Sequence, residues 1–261
     1  MSVMSALLLL AALAQAPAPT VAPAPADSRS QRLSQLAAAR DYVGLGALVT
    51  NPTAEADART DLDWMKVRLL EGDSAYIAML YAKLLWMVSD KSPPQDAPAL
   101  RETAAMALLY AHAAIAVDGT RCGDRSAPSR RQEQLMAWQP AVWPFIAALP
   151  PERRQRLVDV AVAIEQRTAA RRDAQGDVEF LCRYGMEETS YNLAHGRARE
   201  VPTPRGGFGR TVELKGDGKF RPSLEKDEVW RPRARSERAS LRASLSALVD
   251  AMAAAGPAPR P

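Results

Sequence analysis

Residues 75–88 read AYIAMLYAKLLWMV, and their apolar side chains would cover nearly every face of a helix. A helix that is apolar on all sides lies in the interior of a protein. Asp73 and Ser74 are good N-cap residues before this stretch, and Pro93 ends the pattern after it. The stretch therefore predicts a buried central helix. Its core positions recur at helical spacing at Ile77, Leu80, Tyr81, Leu84, Leu85 and Val88.

Residues 104–117 read AAMALLYAHAAIAV and form a second apolar stretch, interrupted only by His112. It is shorter than the roughly 20 apolar residues that a transmembrane helix needs. Alanine is the best helix former, and its small side chain lets neighbouring helices approach closely. The stretch predicts a second interior helix, ended near Gly119.

The remaining composition also favours helix, because alanine is abundant while Val and Ile are sparse. The sequence predicts an all-α fold, a single helical bundle of about seven to eight helices with residues 29–198 as its α-helical domain. Pro140 and Pro144 interrupt the apolar stretch 135–149, which must therefore kink or split. Further helices are expected downstream of Ser28 and over 53–70, 151–172 and 178–194.

The sequence changes character after Gly196. Residues 199–234 are expected to form a basic loop with a small β-hairpin, whose strands are 211–214 and 219–221 around a glycine turn. An amphipathic C-terminal helix over 235–255 is expected to pack on the bundle, followed by a disordered tail, 256–261.

The N-terminal segment resembles a signal peptide, predicted over residues 1–16. An apolar run ends in Ala12-Leu13-Ala14, the small-x-small pattern that a signal peptidase reads. A Pro/Ala-rich linker, 17–28, follows. These features predict an exported protein of bacterial type, periplasmic or secreted, whose mature chain has no transmembrane segment. The alternative is an apolar N-terminus on a cytosolic protein.

The two cysteines, Cys122 and Cys182, are predicted to form a disulfide, which is the economical interpretation for an exported chain. A metal site lacks ligands, because there is no CxxC motif and the two histidines are not spaced as partners. No cofactor is therefore expected. A nucleophilic cysteine would need a nearby histidine.

The bridge would bring two polar segments together, since it holds the two Cα atoms within about 7 Å. Paired carboxylates with Tyr and Arg nearby can do acid–base work such as glycoside cleavage. The alternative is a stapled helix end with solvated charge pairs. The residues of this candidate polar site are Asp118, Arg121, Asp124, Glu187, Glu188 and Tyr191.

Two histidines and an aromatic group have alternative interpretations. His112 is interpreted as a hydrogen-bonded core histidine, and His195 as a cation at a helix C-terminus. Trp138, Trp143 and Phe145 would form either an aromatic platform for sugar or peptide or a plug in the core.

Residues 199–242 contain twelve Arg and Lys against seven Asp and Glu, including an RGG-type element at 205–210. An exported protein would meet anionic envelope surfaces sooner than nucleic acid, so nucleic acid is not favoured as a partner. A solvated segment is the alternative. The candidate contacts are Arg205, Arg210, Arg231, Arg233 and Arg235.

The sequence therefore predicts an exported helical binding or scaffold module that recognises a protein or an envelope component. The alternative is an all-α periplasmic hydrolase that acts on cell-wall glycan or peptide through the carboxylates near the disulfide. No recognisable nucleophile motif supports catalysis.

Denatured, unreduced protein should contain no titratable thiol, because Cys122 and Cys182 are paired. Reduction should lower the free energy of unfolding by roughly 4 kcal/mol, as expected for a loop of this length. A thiol-specific reagent measures the first quantity, and urea melts with and without reductant measure the second. The reduced sample is the control, and reactive thiols before reduction would contradict the pairing.

Overall fold

The computed structural model describes residues 28–175, 178–202 and 210–255. The predicted signal peptide, the linker apart from Ser28, the candidate contact Arg205 and the tail 256–261 lie outside the described residues. Within the described residues the protein is predominantly helical, with ten helices and one two-stranded sheet. The predicted all-α class is confirmed.

The helices follow one another closely along the chain. They are α1 (Ser28–Ala38), α2 (Tyr42–Thr50), α3 (Glu55–Leu70), α4 (Ala75–Ser89), α5 (Ala97–Asp118), α6 (Ser126–Trp138), α7 (Val142–Ala148), α8 (Pro151–Gln175), α9 (Met186–His195) and α10 (Asp227–Ala255). A short 3₁₀ turn, Gly119–Arg121, extends α5, and the strands are β1 (Arg197–Val201) and β2 (Thr211–Lys215).

The described helices outnumber the expected seven to eight for two local reasons. The apolar stretch after Asp41 forms its own helix, α2, because the Asp41 carboxylate accepts a hydrogen bond from the backbone N–H of Gly44 at 2.8 Å. The proline-containing stretch splits, as expected, into α6 and α7 on either side of Gln139 and Pro140.

Helices α4 and α5 pack against each other at the centre of the bundle. Leu80 and Leu84 of α4 are completely buried, so the predicted interior helix is confirmed. The alanines at 104, 107, 111 and 114 are also completely buried, which allows close approach of the neighbouring helices. Around this pair, α3 packs on α4, while α8 and α10 pack on α5.

A cluster of charged side chains is buried between α5, α8 and α10. Arg172 of α8 is 1% exposed, and its Nη2 lies 2.5 Å from Oε1 of Glu165. Its Nε lies 3.3 Å from Oδ2 of Asp118, at the end of α5. Arg238 of α10 contacts the same Glu165 and pairs with Asp173 at 2.7 Å. Complementary charges therefore connect three helices.

The charge of Arg172 is stable in this interior position. Burial alone would lower its pKa, but the nearby carboxylates of Asp118 and Glu165, with the hydroxyl of Tyr110, raise the pKa above its ordinary value. A buried ion pair gains from such attraction only when its geometry and remaining hydrogen bonds are good.

The hairpin differs from its prediction. Strand β2 pairs antiparallel with β1, which precedes it, and not with residues 219–221. Gly216 directly follows β2 and is not in the hairpin turn. It lies against Asn192, where a Cβ atom would come within 2.4 Å of the side-chain oxygen. Phe220 instead turns inward and is 7% exposed.

Helix α10 begins at Asp227 and not at residue 235, so the basic segment 199–234 is not one loop. Asp227 accepts hydrogen bonds from the Trp230 indole at 2.9 Å and from the Arg231 guanidinium at 2.8 Å. Trp230 is 3% exposed. These contacts and the burial of Trp230 sustain the helix despite Pro232 within it.

Residues 178–185 do not form the start of a helix, as the sequence predicted, but a series of turns. Helix α9 begins only at Met186, whose N–H donates to Ser126 Oγ at 2.8 Å. The N–H of Glu187 donates to Asp124 Oδ2 at 2.8 Å. Long-range capping by Asp124 and Ser126 therefore determines where α9 begins. In the described part of the chain, no helix has the length and apolar character needed to cross a membrane.

Replacing Arg172 by Met should destabilise the protein by about 3–5 kcal/mol, because it leaves the buried carboxylates of Asp118 and Glu165 without this cation. Arg167 lies on the same helix and is exposed, so Arg167→Met provides the matched control. Urea-induced unfolding followed by circular dichroism measures both changes. Equal free energies of unfolding for the two variants would contradict a stabilising role for the buried cluster.

Candidate functional site

The Cys122–Cys182 disulfide is present and its Cα atoms are 5.2 Å apart, as the sequence predicted. Both cysteines are buried, and neither is free. The bond connects the end of the 3₁₀ turn to the segment 178–185, which we call the stapled loop. It therefore holds a segment without regular secondary structure against the helical bundle.

Asp118 is buried at the end of α5, and Arg121 is partly buried beside it. Burial raises the pKa of Asp118, and the positive charge of Arg172 opposes that rise. Arg121 donates to the backbone carbonyl of Arg172 at 3.1 Å and lies over the Trp230 ring at 5.0 Å. Both residues contact groups that stabilise the fold.

Asp124 and Glu187 do meet at the disulfide junction. Asp124 caps the N-terminus of α9. Burial acts to raise the pKa of Asp124, but hydrogen bonds from Ser126 and from the backbone of Glu187 hold that pKa below its ordinary value. The Glu187 carboxylate accepts a hydrogen bond from Ser223 Oγ at 2.8 Å. This pair closes the junction between α9 and the segment before α10.

Glu188 and Tyr191 lie further along α9. Glu188 is 5% exposed, contacts Arg183 Nη2 at 2.5 Å and accepts from the N–H of Tyr184. The Tyr191 hydroxyl donates to Asp217 at 3.2 Å. The carboxylates of the predicted polar site therefore already have protein partners.

The stapled loop also forms one wall of a groove of about 670 Å³. Helices α2, α4 and α6 form the other walls. The aromatic residues that line the groove are Tyr42, Tyr76, Trp138, Phe180 and Tyr184.

The aromatic rings contact one another, and these contacts hold the side chains of the groove in place. The Tyr76 ring lies 4.8 Å from Phe180 and 6.1 Å from Trp138, with which it is stacked. Burial raises the pKa of Tyr76 to about 12, so its hydroxyl stays neutral and donates to the Tyr42 carbonyl. Gly46 makes room for this hydroxyl, because a Cβ atom there would lie 2.6 Å from it.

Arg131 lies within the aromatic groove and is only 4% exposed. Its Nε donates to the Phe180 carbonyl at 2.7 Å, and its Nη1 donates to Gln134 at 2.6 Å. The guanidinium carbon lies 3.9 Å from the centre of the Phe180 ring and 4.6 Å from that of Tyr184. Burial lowers the pKa of Arg131 to about 10, which leaves it charged at neutral pH.

The sequence prediction of an aromatic platform found only one member of the groove. Trp138 lines the groove, whereas Trp143 is buried and donates to the Met136 carbonyl at 3.2 Å. Phe145 packs edge-on against Trp86. Arg131 is not among the site residues predicted from the sequence, although it stands four residues from the buried Ala127 and Leu135, on the buried face of α6.

The candidate contacts for an anionic surface are exposed but largely paired. Arg210 lies 3.6 Å from Glu200, Arg231 pairs with Asp227, and Arg233 pairs with Glu225. Arg235 is exposed on α10.

The two histidines occupy different settings. The Nδ1 atom of His112 is buried without a hydrogen-bond partner among the described residues, so the expected hydrogen bond is not formed. His195 ends α9, where its Nδ1 lies 3.0 Å from the Tyr191 carbonyl and its ring stacks on Tyr191. No group of three or more potential metal ligands occurs in the part of the chain that the structure describes.

Comparison with known proteins gives no match to a protein-family model, to a curated protein or to a solved structure.

His112 should make the protein less stable in acid, because burial lowers its pKa to about 4 in the folded state. The unfolded chain takes up this proton near pH 6.5, so stability is lost as the pH falls from about 6.5 towards 4, by up to about 3 kcal/mol. Urea melts at pH 7.5 and pH 4.5 measure the loss. A His112→Gln variant is the control and should lose less; equal losses would contradict this role.

Proposed function

We propose that the protein is an exported, non-enzymatic helical module that binds an apolar ligand in the aromatic groove. The observation that carries this proposal is the cluster of five aromatic side chains around a groove of about 670 Å³. Small-molecule sites are typically concave, largely apolar and about 300–1,000 Å³ in volume. The groove has this size and composition.

Val43 and Tyr184 support a binding role, because each has a feature that is unfavourable in the unbound protein. Val43 is 83% exposed and Tyr184 is 59% exposed, so apolar surface is left in water beside the groove. Tyr184 also has a backbone φ of 66°, a left-handed conformation that is unfavourable for a bulky residue. Strained residues concentrate at ligand sites and persist only where the surrounding structure holds them. Ligand binding would cover the exposed surface.

The hydrolase alternative has weaker support. Glu187 and Glu188 are held by Ser223 and Arg183, and Asp124 caps α9. A general acid or base must itself lie within hydrogen-bond reach of the substrate atom that gains or loses the proton. Carboxylates that already close helix ends and loops are poorly placed for that task.

Export is part of the proposal. Its support is the apolar run over residues 6–14 and the disulfide, since disulfides persist mainly in oxidising compartments. The expected partner, a protein or an envelope component, would be the carrier or source of the group that enters the groove. Contact with an anionic surface through the basic segment has less support, because Arg210, Arg231 and Arg233 have acidic partners.

The groove should bind N-phenyl-1-naphthylamine, an uncharged aromatic probe whose fluorescence rises in apolar surroundings. Ala47 is an exposed residue that lines the groove, so Ala47→Trp fills the site from α2 and should weaken binding at least about tenfold. Fluorescence titration gives the dissociation constants.

Ala163→Trp is the matched control, because Ala163 is an exposed alanine of α8 outside the groove lining. It should bind the probe as the unmodified protein does. The proposal is wrong if the unmodified protein does not bind the probe, or if Ala47→Trp leaves binding unchanged.

A further inference from the structure

Arg131 is a buried cation without an ion-pair partner among the described residues. None of the residues that line the groove is acidic. Glu188 contributes to its electrostatic environment, but that carboxylate is bonded to Arg183 and to the backbone of Tyr184. Charged groups are seldom buried unless paired, because desolvation is costly. The charge of Arg131 is therefore compensated only in part, by a carboxylate that has other partners.

The guanidinium is also held in one orientation. It packs on the faces of Phe180 and Tyr184, while Nε and Nη1 donate to the Phe180 carbonyl and to Gln134. Its Nη2 has no acceptor among the described residues and is not sealed away from solvent. A fixed donor at an aromatic groove is suited to donate a hydrogen bond to one anionic oxygen without loss of further side-chain freedom.

A second cation lies at the same groove. The ammonium of Lys83 sits 4.6 Å from the centre of the Trp138 ring, and Lys83 lines the groove with Arg131. The lining residues therefore include two cations and no acid, an arrangement that favours an anionic ligand, while the carboxylates of Asp41 and Glu188 act on the groove from outside its lining.

We propose that the ligand is a small organic acid: an aromatic body that packs among the groove's rings, with a carboxylate that accepts from Arg131 Nη2. This inference rests on the proposed function, since it assigns a ligand class to the same groove. Arg131 has one donor atom without an acceptor, Nη2, which suits one carboxylate oxygen better than the three acceptor oxygens of a phosphate monoester. The volume of about 670 Å³ suits a small molecule as the occupant.

The test compares naphthalene-1-acetic acid with naphthalene-1-acetamide, which share one body and differ in charge. Isothermal titration with the full chain should show the acid binding at least about tenfold more tightly, as expected for a hydrogen bond from a charged donor. Equal affinities would overturn the inference, while binding of the uncharged probe would still support the groove as a site. Failure of all three compounds to bind would count against the proposed function itself.

Variants then assign the preference to one side chain. Arg131→Gln should abolish the preference for the acid, and Arg131→Lys should restore part of it without the planar fork. Arg130→Gln removes the same charge from the exposed neighbour on α6 and should keep the full preference. A preference that survives in a folded Arg131→Gln protein would overturn the assignment.

Because loss of Arg131 also removes the hydrogen bond to the Phe180 carbonyl, circular dichroism must verify the fold of each variant. The acid-to-amide comparison in the unmodified protein decides the question even if a variant fails to fold. Tighter binding of 1-naphthyl phosphate, or of a peptide that ends in a free phenylalanine carboxylate, would overturn the small carboxylic acid as the occupant.

Discussion

Arg172 places a positive charge in the interior of the bundle, where Glu165 from its own helix and Asp118 from α5 approach it. Other parts of the structure are built on this cluster. The backbone carbonyl of Arg172 accepts a hydrogen bond from the side chain of Arg121. Arg121 directly precedes Cys122, whose disulfide holds the stapled loop. That loop supplies Phe180 to the groove. A continuous series of contacts therefore connects the buried charges to the wall of the candidate site.

The two buried arginines show how partners determine the fate of a charge. Arg172 has carboxylates beside it, and they raise its pKa although burial would lower it. Arg131 has backbone, amide and aromatic partners, and burial lowers its pKa to about 10. Replacing a paired buried charge disturbs stability, whereas an unpaired one beside an open groove offers free energy for binding. The first arrangement serves the fold, and the second is the basis for the proposed ligand.

Sequence reasoning succeeded where one local pattern dominates. The apolar stretches that became α4 and α5 identify themselves by periodicity, and the pairing of Cys122 with Cys182 follows from there being two cysteines. It failed where distant residues decide. Capping by Asp124, over 60 residues away, determines where α9 begins. The burial of Trp230 extends α10 towards the N-terminus, through Pro232 to Asp227. Arg131 has the spacing of a buried position between Ala127 and Leu135, but arginine is seldom buried, so the packing of the stapled loop was needed to show its burial.

The stapled loop gives the groove a wall that has no regular secondary structure of its own. Cys182 and Phe180 anchor it in the interior, whereas Tyr184 faces solvent and belongs to no helix. A substitution of Tyr184 would change this wall and its contact with Arg131 without removing a side chain from the apolar core. The disulfide therefore does for this wall what backbone hydrogen bonding does for the three helical walls: it fixes the position of the side chains that line the groove.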